Sequence, residues 1–357
     1  MIGTAIDIGT TTIQAQLVDL NTGSILDDFS ALNDQRSFGT DVMSRISAAQ
    51  NLKLPELYKT VNSQTENILK GFINKNNISV IDKCIISGNT TMLHLFCNID
   101  PSAMGKAPYT PVFLQERRFK GTELSLSAEE IILLPGISAF IGADVTAGLA
   151  LIEIINKGEN ALFADIGTNG EIAVWKESEK KLLCCSAAAG PCFEESEISC
   201  GLRAPDFIDE IARMRRSNEI DETGALTSKY SGGAVTQKDV RQFQLAKSAI
   251  CSGIKAMCRK TKLNIDDFGA IYIAGGIGFH LNIESAAETG LLPKEFAGSR
   301  QKIKICGNTS LKGAVKCLTN HAFLQRCSEI IKHAETIDLA VDKYFAAAFE
   351  YNISFNK

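Results

Sequence analysis

Two widely separated stretches of the chain repeat one hydrophobic pattern. From Ala5 to Leu26 (AIDIGTTTIQAQLVDLNTGSIL) and from Leu162 to Lys176 (LFADIGTNGEIAVWK), an apolar run leads into Asp-Ile-Gly-Thr and then into a segment where apolar and polar residues alternate. Such alternation predicts a half-buried strand, and the Gly-bearing break predicts a hairpin in both places. A second echo links IISGNTTMLHLF (Ile85 to Phe96) with IKICGNTSLKGAV (Ile303 to Val315), each an apolar strand, a Gly-Asn-Thr turn and an amphipathic helix. Internal repeats on this scale predict two similar lobes. Each is expected to be α/β, a mixed five-stranded sheet with helices, over residues 1–150 and 151–357. PGISAFIGADVTAGLALIEII predicts a long helix from about Ala143 to Ile155, crossing between the lobes. Asn98 to Ala128, with Pro101, Pro108 and Pro111, reads as an insertion in the first lobe, and the helix-rich stretch Ser310 to Ala348 is expected to cross back to it.

At 357 residues the chain exceeds what one core usually serves, which agrees with two lobes. Apolar residues make up 45% and charged residues 22%, the balance of a folded globular protein. Lys plus Arg number 37 against 41 Asp plus Glu, without a long like-charge run, so no nucleic-acid partner is implied. The start reads directly into a strand with no export pattern, and the apolar runs are broken by Pro and Gly short of the roughly 20 residues a membrane span needs. A cytoplasmic protein is expected, with no membrane partner. Eleven cysteines, with no CxxC pair among them, suit reduced thiols in a cytosol.

The hairpins carry candidate chemistry. Gly9 and Gly167 allow tight turns whose backbone N–H groups can face phosphate oxygens, with the hydroxyls of Thr10, Thr11, Thr12 and Thr168 beside them. Asp7 and Asp165 stand just before the turns, where a carboxylate repels phosphate unless a cation intervenes. Mg2+ is the implied cation, held by Asp7 and Asp165 partly through water. One Asp-Gly turn is weak evidence, since such turns join many hairpins with no ligand; the duplication strengthens the reading. Gly275, Gly276 and Gly278, between a predicted buried strand and a helix, form a surface on which a nucleoside can rest. Asp144 near its helix start leaves two roles open, a favourable charge on the helix dipole or the group that orients an attacking water. In the Gly-Asn-Thr units, Thr90 and Thr309 read as structural, and Gly313 and Ala314 as small helix-contact residues.

Taken together and in order, DIGTTT, SGNTTM, LPGISAFIGAD, DIGTNGEI, AAAGPCFE and AGGIG resemble the ATPase region of the reductive activators of corrinoid proteins. These belong to the superfamily of acetate and sugar kinases, Hsp70 and actin. The resemblance covers nearly the whole chain and implies two ribonuclease H-like lobes. It further implies ATP and Mg2+ as ligands, a corrinoid protein as partner, and use of ATP to return Co(II) to Co(I). It assigns phosphate contacts to Asp7, Gly9, Thr10, Thr11 and Thr12 and to Asp165, Gly167, Thr168, Asn169 and Gly170. Gly275, Gly276 and Gly278 take the adenosine. A homodimer is expected from the resemblance alone.

The sequence departs from the family at two places. Family members usually carry an N-terminal ferredoxin domain, whereas this chain opens on the hairpin and has no C-x4-C-x2-C spacing. No iron-sulfur cluster is therefore expected in it, and a separate ferredoxin-like donor is. Around Ser186 to Ala204 the family generally has a Gly after the Phe-Glu pair and a small, Gly-containing stretch after Arg-Ala; here Glu195 and APDFIDE stand in those places, a bulkier and more acidic loop. Cys184, Cys185, Cys192 and Cys200 match no ligand pattern and read as small buried hydrophobes. His94 and His280 read as structural. Three rival readings remain: an activator of 2-hydroxyacyl-CoA dehydratases, a small-molecule kinase, and a nucleotide-gated binding protein.

Overall fold

Strand β1 (Ile2–Ile8) is buried on both faces, while β2 (Thr12–Asp19) buries Ile13, Ala15 and Leu17 and turns Gln14 and Gln16 away. That contrast separates a central strand from one nearer an edge. The computed structural model describes residues 1–193, 201–276 and 281–355. They form two units, Met1–Ile154 with Thr309–His333, and Ile155–Asn308 with Ala334–Lys357.

The first unit holds β1, β2, β3 (Ile25–Leu32), β4 (Ile81–Gly88), β5 (Arg117–Lys120) and β6 (Ala128–Leu133) in the order β3-β2-β1-β4-β6-β5. In the second, β7 (Ala161–Ile166), β8 (Asn169–Lys176), β9 (Lys181–Ala188), β10 (Ala270–Ala274), β11 (Ile303–Gly307) and β12 (Ala334–Thr336) run β11-β10-β7-β8-β9-β12. Three antiparallel strands followed by two parallel ones recur, as β3-β2-β1-β4-β6 and as β9-β8-β7-β10-β11. This is the five-stranded repeat expected from the sequence. Each sheet gains a sixth strand that the pattern did not show. β5 is antiparallel to β6, and β12 is parallel to β9. Both additions are too short to leave a periodic signal.

Helices α1 (Val42–Ala48), α2 (Leu54–Asn76), α3 (Thr90–Phe96), α4 (Gly121–Leu124) and α5 (Ala143–Leu151) complete the first stretch of chain. They are followed by α6 (Ala204–Arg216), α7 (Gln237–Thr261), α8 (Ile283–Glu288), α9 (Thr309–Thr319), α10 (His321–His333) and α11 (Lys343–Ile353). α5 ends at Leu151 rather than near Ile155, because Glu153 adopts a left-handed backbone at φ 55°. The apolar residues on both sides of Glu153, Leu149–Ile152 and Ile154–Ile155, hide that stop. No described helix is long and apolar enough to cross a membrane.

Small residues let helices approach closely where the sites are built. Gly313 of α9 lies against α5, where a Cβ would stand 2.6 Å from Ala147 O. Gly313→Ala is therefore expected to lower stability by about 1–3 kcal/mol, read as a lower chemical-denaturation midpoint. In the second unit α7 backs β8: a Cβ on Gly253 would meet Ile172 Cδ1 at 2.6 Å, and one on Gly170 would meet Ile250 Cγ1 at 3.0 Å.

Candidate functional site

The turn joining β1 to β2 closes through Gly9 N–H, which donates to Thr12 O at 3.0 Å. No side chain fits at Gly9, because a Cβ would lie 2.6 Å from that same oxygen. The turn's carbonyls are taken up by the protein itself. Asn33 Nδ2 donates to Gly9 O at 2.8 Å and Asn33 N–H to Thr11 O at 2.7 Å, while Arg45 Nη2 donates to Thr10 O. Asn33 and Arg45 are wholly buried. Neither was singled out from sequence, since an Arg among polar residues ordinarily reads as solvated.

Three further segments converge on this turn. Asn89 caps α3 by accepting Met92 N–H at 3.0 Å, and its Nδ2 also donates to Thr10 Oγ1 at 2.9 Å. The Gly-Asn-Thr unit thus caps a helix and fixes the hairpin at once. Asp7, at the end of β1, accepts from Ser310 Oγ at 2.7 Å, and Ser310 Oγ lies 2.9 Å from Ser87 Oγ. Thr90 Oγ1 donates to Ser138 O at 2.6 Å, in line with its structural reading. The loop before α5 fits directly on the start of α3, where a Cβ on Gly142 would stand 2.5 Å from Asn89 Cα. Thr309 Oγ1 is buried with no hydrogen-bond partner among the described residues.

Asp144 occupies the first turn of α5 and accepts Val145 N–H at 2.8 Å. Burial above all, and then the negative charge of Asp7, push its carboxyl up to about 7. Two carboxylates thus share the neighbourhood of the first turn. They and the nearby hydroxyls form a hard oxygen set, which suits Mg2+. Among the described residues no three His, Cys, Asp or Glu side chains converge, so a Mg2+ here would also draw on water or phosphate oxygens.

The second hairpin is one residue shorter. Ile8 pairs with Ile13 across the first turn, and Ile166 with Gly170 across the second. Gly167 N–H donates to Asn169 O at 3.0 Å, and Thr168 O accepts from Gly190 N–H at 2.8 Å. A Cβ at Gly167 would make only ordinary contact at 3.7 Å, so packing does not demand this glycine. Gly170 lies buried within β8 against Ile250, and packing accounts for it. Gly275 follows β10 at φ 95°, and a Cβ there would stand 2.3 Å from Ile166 O and 2.7 Å from Asp165 Oδ1. Its backbone thus passes over the end of β7. A Cβ on Gly276 would meet nothing within 4 Å among the described residues. Gly278, His280, Glu195 and Cys200 lie outside the described residues. At the start of α8 opens a cavity of about 660 Å³, lined in part by Arg215, Arg216, Asn282, Glu284, Ser285 and Lys294. Arg215 is held there over the Phe355 ring at 5.1 Å.

Cys184, Cys185 and Cys192 are buried, and burial pushes the thiols of Cys184 and Cys192 up to about 12. That makes them unreactive packing groups. His94 Nδ1 hydrogen-bonds Thr90 O at 2.7 Å, and its ring stacks on Phe113. Its role is structural. APDFIDE opens α6, with Pro205 in the first turn.

Residues 2–157 match the family described as the RACo middle region, and residues 159–223 and 212–357 match the C-terminal domain of RACo, the ASKHA domain. The chain belongs to the RACo family. Its fold is that of the actin, Hsp70 and sugar kinase superfamily. A solved structure, a reductive activator for corrinoid, iron-sulfur protein, superposes with a TM-score of 0.90 at 29% identity, covering 99% of this chain and 66% of the other. The corrinoid activation enzyme RamQ of Eubacterium limosum is 28% identical over 99% of this chain and 70% of its own length. The [Co(II) methylated amine-specific corrinoid protein] reductase of Methanosarcina barkeri is 25% identical over 93% of this chain and 72% of its own. This RACo family member thus spans about two thirds of the length of these relatives.

Proposed function

We propose that the chain is an ATP-dependent reductive activator of a corrinoid protein, coupling ATP binding and hydrolysis to the return of Co(II) to Co(I). The observation that carries this reading is the carboxylate pair Asp7 and Asp144 beside the Gly9–Thr12 turn, in a chain similar over nearly its full length to corrinoid activators.

In this reading the turn at Gly9, Thr10, Thr11 and Thr12 binds phosphate oxygens, and Gly167, Thr168 and Asn169 present the same kind of turn in the second unit. Gly170, which follows that turn, is proposed to contribute its backbone. Mg2+, when bound, neutralises phosphate charge; Asp7 and Asp165 are its proposed protein ligands, partly through water. Asp144 orients the attacking water and takes its proton, a task suited to a carboxyl with a pKa near 7. Gly275, Gly276 and Gly278 carry the adenosine, with the cavity at the start of α8 as its place in the second unit. The partner is a corrinoid protein, and the electron comes from a separate ferredoxin-like donor. A cytoplasmic location and a homodimer complete the proposal.

ATP is needed because Co(I) is strongly reducing, and each 100 mV of uphill gap costs about 2.3 kcal/mol per electron. A nucleotide assists only through different affinities for two states of the activator complex. Mixing the protein anaerobically with a Co(II) corrinoid protein and a one-electron chemical reductant tests this by absorbance. Co(I) is expected only with Mg-ATP present; Co(I) formation indifferent to ATP, or none across several corrinoid partners, overturns the redox role.

A further inference from the structure

A trans peptide group is planar, with its C=O and N–H on opposite sides. Whatever holds the carbonyl therefore also aims the amide of the next residue. In the β1–β2 turn, Asn33 Nδ2 holds Gly9 O, and Arg45 Nη2 holds Thr10 O. The amides of Thr10 and Thr11 are accordingly directed away from Asn33 and Arg45. A guanidinium donating to a carbonyl also polarises that peptide, which makes the opposite N–H a stronger donor.

The rest of the Arg45 side chain is fixed. Its Nε donates to Gly39 O at 3.0 Å, and Nη1 lies 3.4 Å from Gln35 Oε1 and 3.0 Å from Met92 Sδ. Gln35, itself buried, is pinned by donating from Nε2 to Leu57 O at 2.9 Å. α1, which carries Arg45, starts from a reciprocal cap between Asp41 and Ser44. Enclosing an arginine so completely is costly unless its donors are well used. Here it spans from α1 to the first of the two turns expected to meet phosphate.

We infer that Arg45, assisted by Asn33, is a positioning residue that sets the first turn's amides for phosphate and lends them positive potential, without touching the nucleotide. This rests on the phosphate role proposed above for the β1–β2 turn. A packing role alone would affect stability, whereas positioning must show as selective loss of affinity for ligands with more phosphate.

The test compares Mg-ATP and AMP binding by calorimetry to the full chain and to Arg45→Lys and Arg45→Met. Arg45→Met is expected to weaken ATP binding at least tenfold while AMP affinity stays within about threefold. Arg45→Lys, which keeps the charge but not the fork of donors, should restore part of the loss. If Arg45→Met does not fold, the same selective loss is read from Arg45→Lys alone. Folded variants that keep the wild-type ratio of ATP to AMP affinity overturn the inference and leave the nucleotide reading standing. A wild-type chain that binds neither ligand removes both.

Discussion

Asp144→Asn is expected to cut ATP hydrolysis by about 100-fold or more while leaving ATP affinity within a few fold, because it deletes a proton acceptor rather than a phosphate contact. The asparagine matches the carboxyl in size and can still accept Val145 N–H, as Asp144 does at 2.8 Å. The same substitution makes a prediction about stability that needs no nucleotide. Burial and the charge of Asp7 move this carboxyl from 3.8 to about 7 in the folded chain. Between roughly pH 4 and 7 the folded state keeps a proton that the unfolded state has released. Stability contributed by this group therefore falls as pH rises through that window and is level above it. The ceiling on the effect is about 4 kcal/mol. Partial solvent contact at Asp144 brings it lower. Urea unfolding of both proteins at pH 5 and pH 8 reads the difference: Asp144→Asn should gain on the wild type between the two, and parallel curves would mean that the Asp144 carboxyl is not raised in the folded chain. Replacing Asp7 with Asn should bring the Asp144 carboxyl only part of the way down, because burial, the larger cause, remains.

The duplication was legible because it lies in local pattern. DIGT at Asp7 and Asp165 and GNT at Asn89 and Asn308 mark matching points in two sheets of the same five-strand order. Period and turn chemistry are properties of neighbours in sequence, so they survive without coordinates. Contacts between distant segments do not. Ser310 reaches Asp7 across 303 positions, and Arg45 reaches Thr10 across 35. Nothing in the residues around Ser310 or Arg45 announces those partners. Asn89 shows the limit well: its capping of α3 was readable from Gly-Asn-Thr-Thr, and its bond to Thr10 was not. Gly170 shows that one glycine can be asked for twice: the motif proposes a phosphate contact for its backbone, and packing on Ile250 leaves no room for a side chain.

Gly275 and Gly276 divide the two uses of glycine between adjacent positions. Gly275→Ala is expected to destabilise the protein by about 3 kcal/mol or more. Its φ of 95° is a conformation L residues avoid, at a cost of about 1–2 kcal/mol by itself. The new methyl would also stand 2.3 Å from Ile166 O, a backbone atom that can yield only by disturbing β7. Gly276→Ala meets nothing within 4 Å among the described residues and has no left-handed backbone, so its stability should stay within about 0.5 kcal/mol of wild type. If Gly276 is the open surface for adenosine, that same methyl should lower affinity for ATP, by about tenfold, in a protein that unfolds like the wild type. Denaturation curves and ATP titrations on the two variants separate the effects. Loss of stability at both positions would mean that the segment is a structural turn only. Loss of affinity at Gly276 with stability intact would place the nucleoside against it, because no folding defect is left to explain the weaker binding.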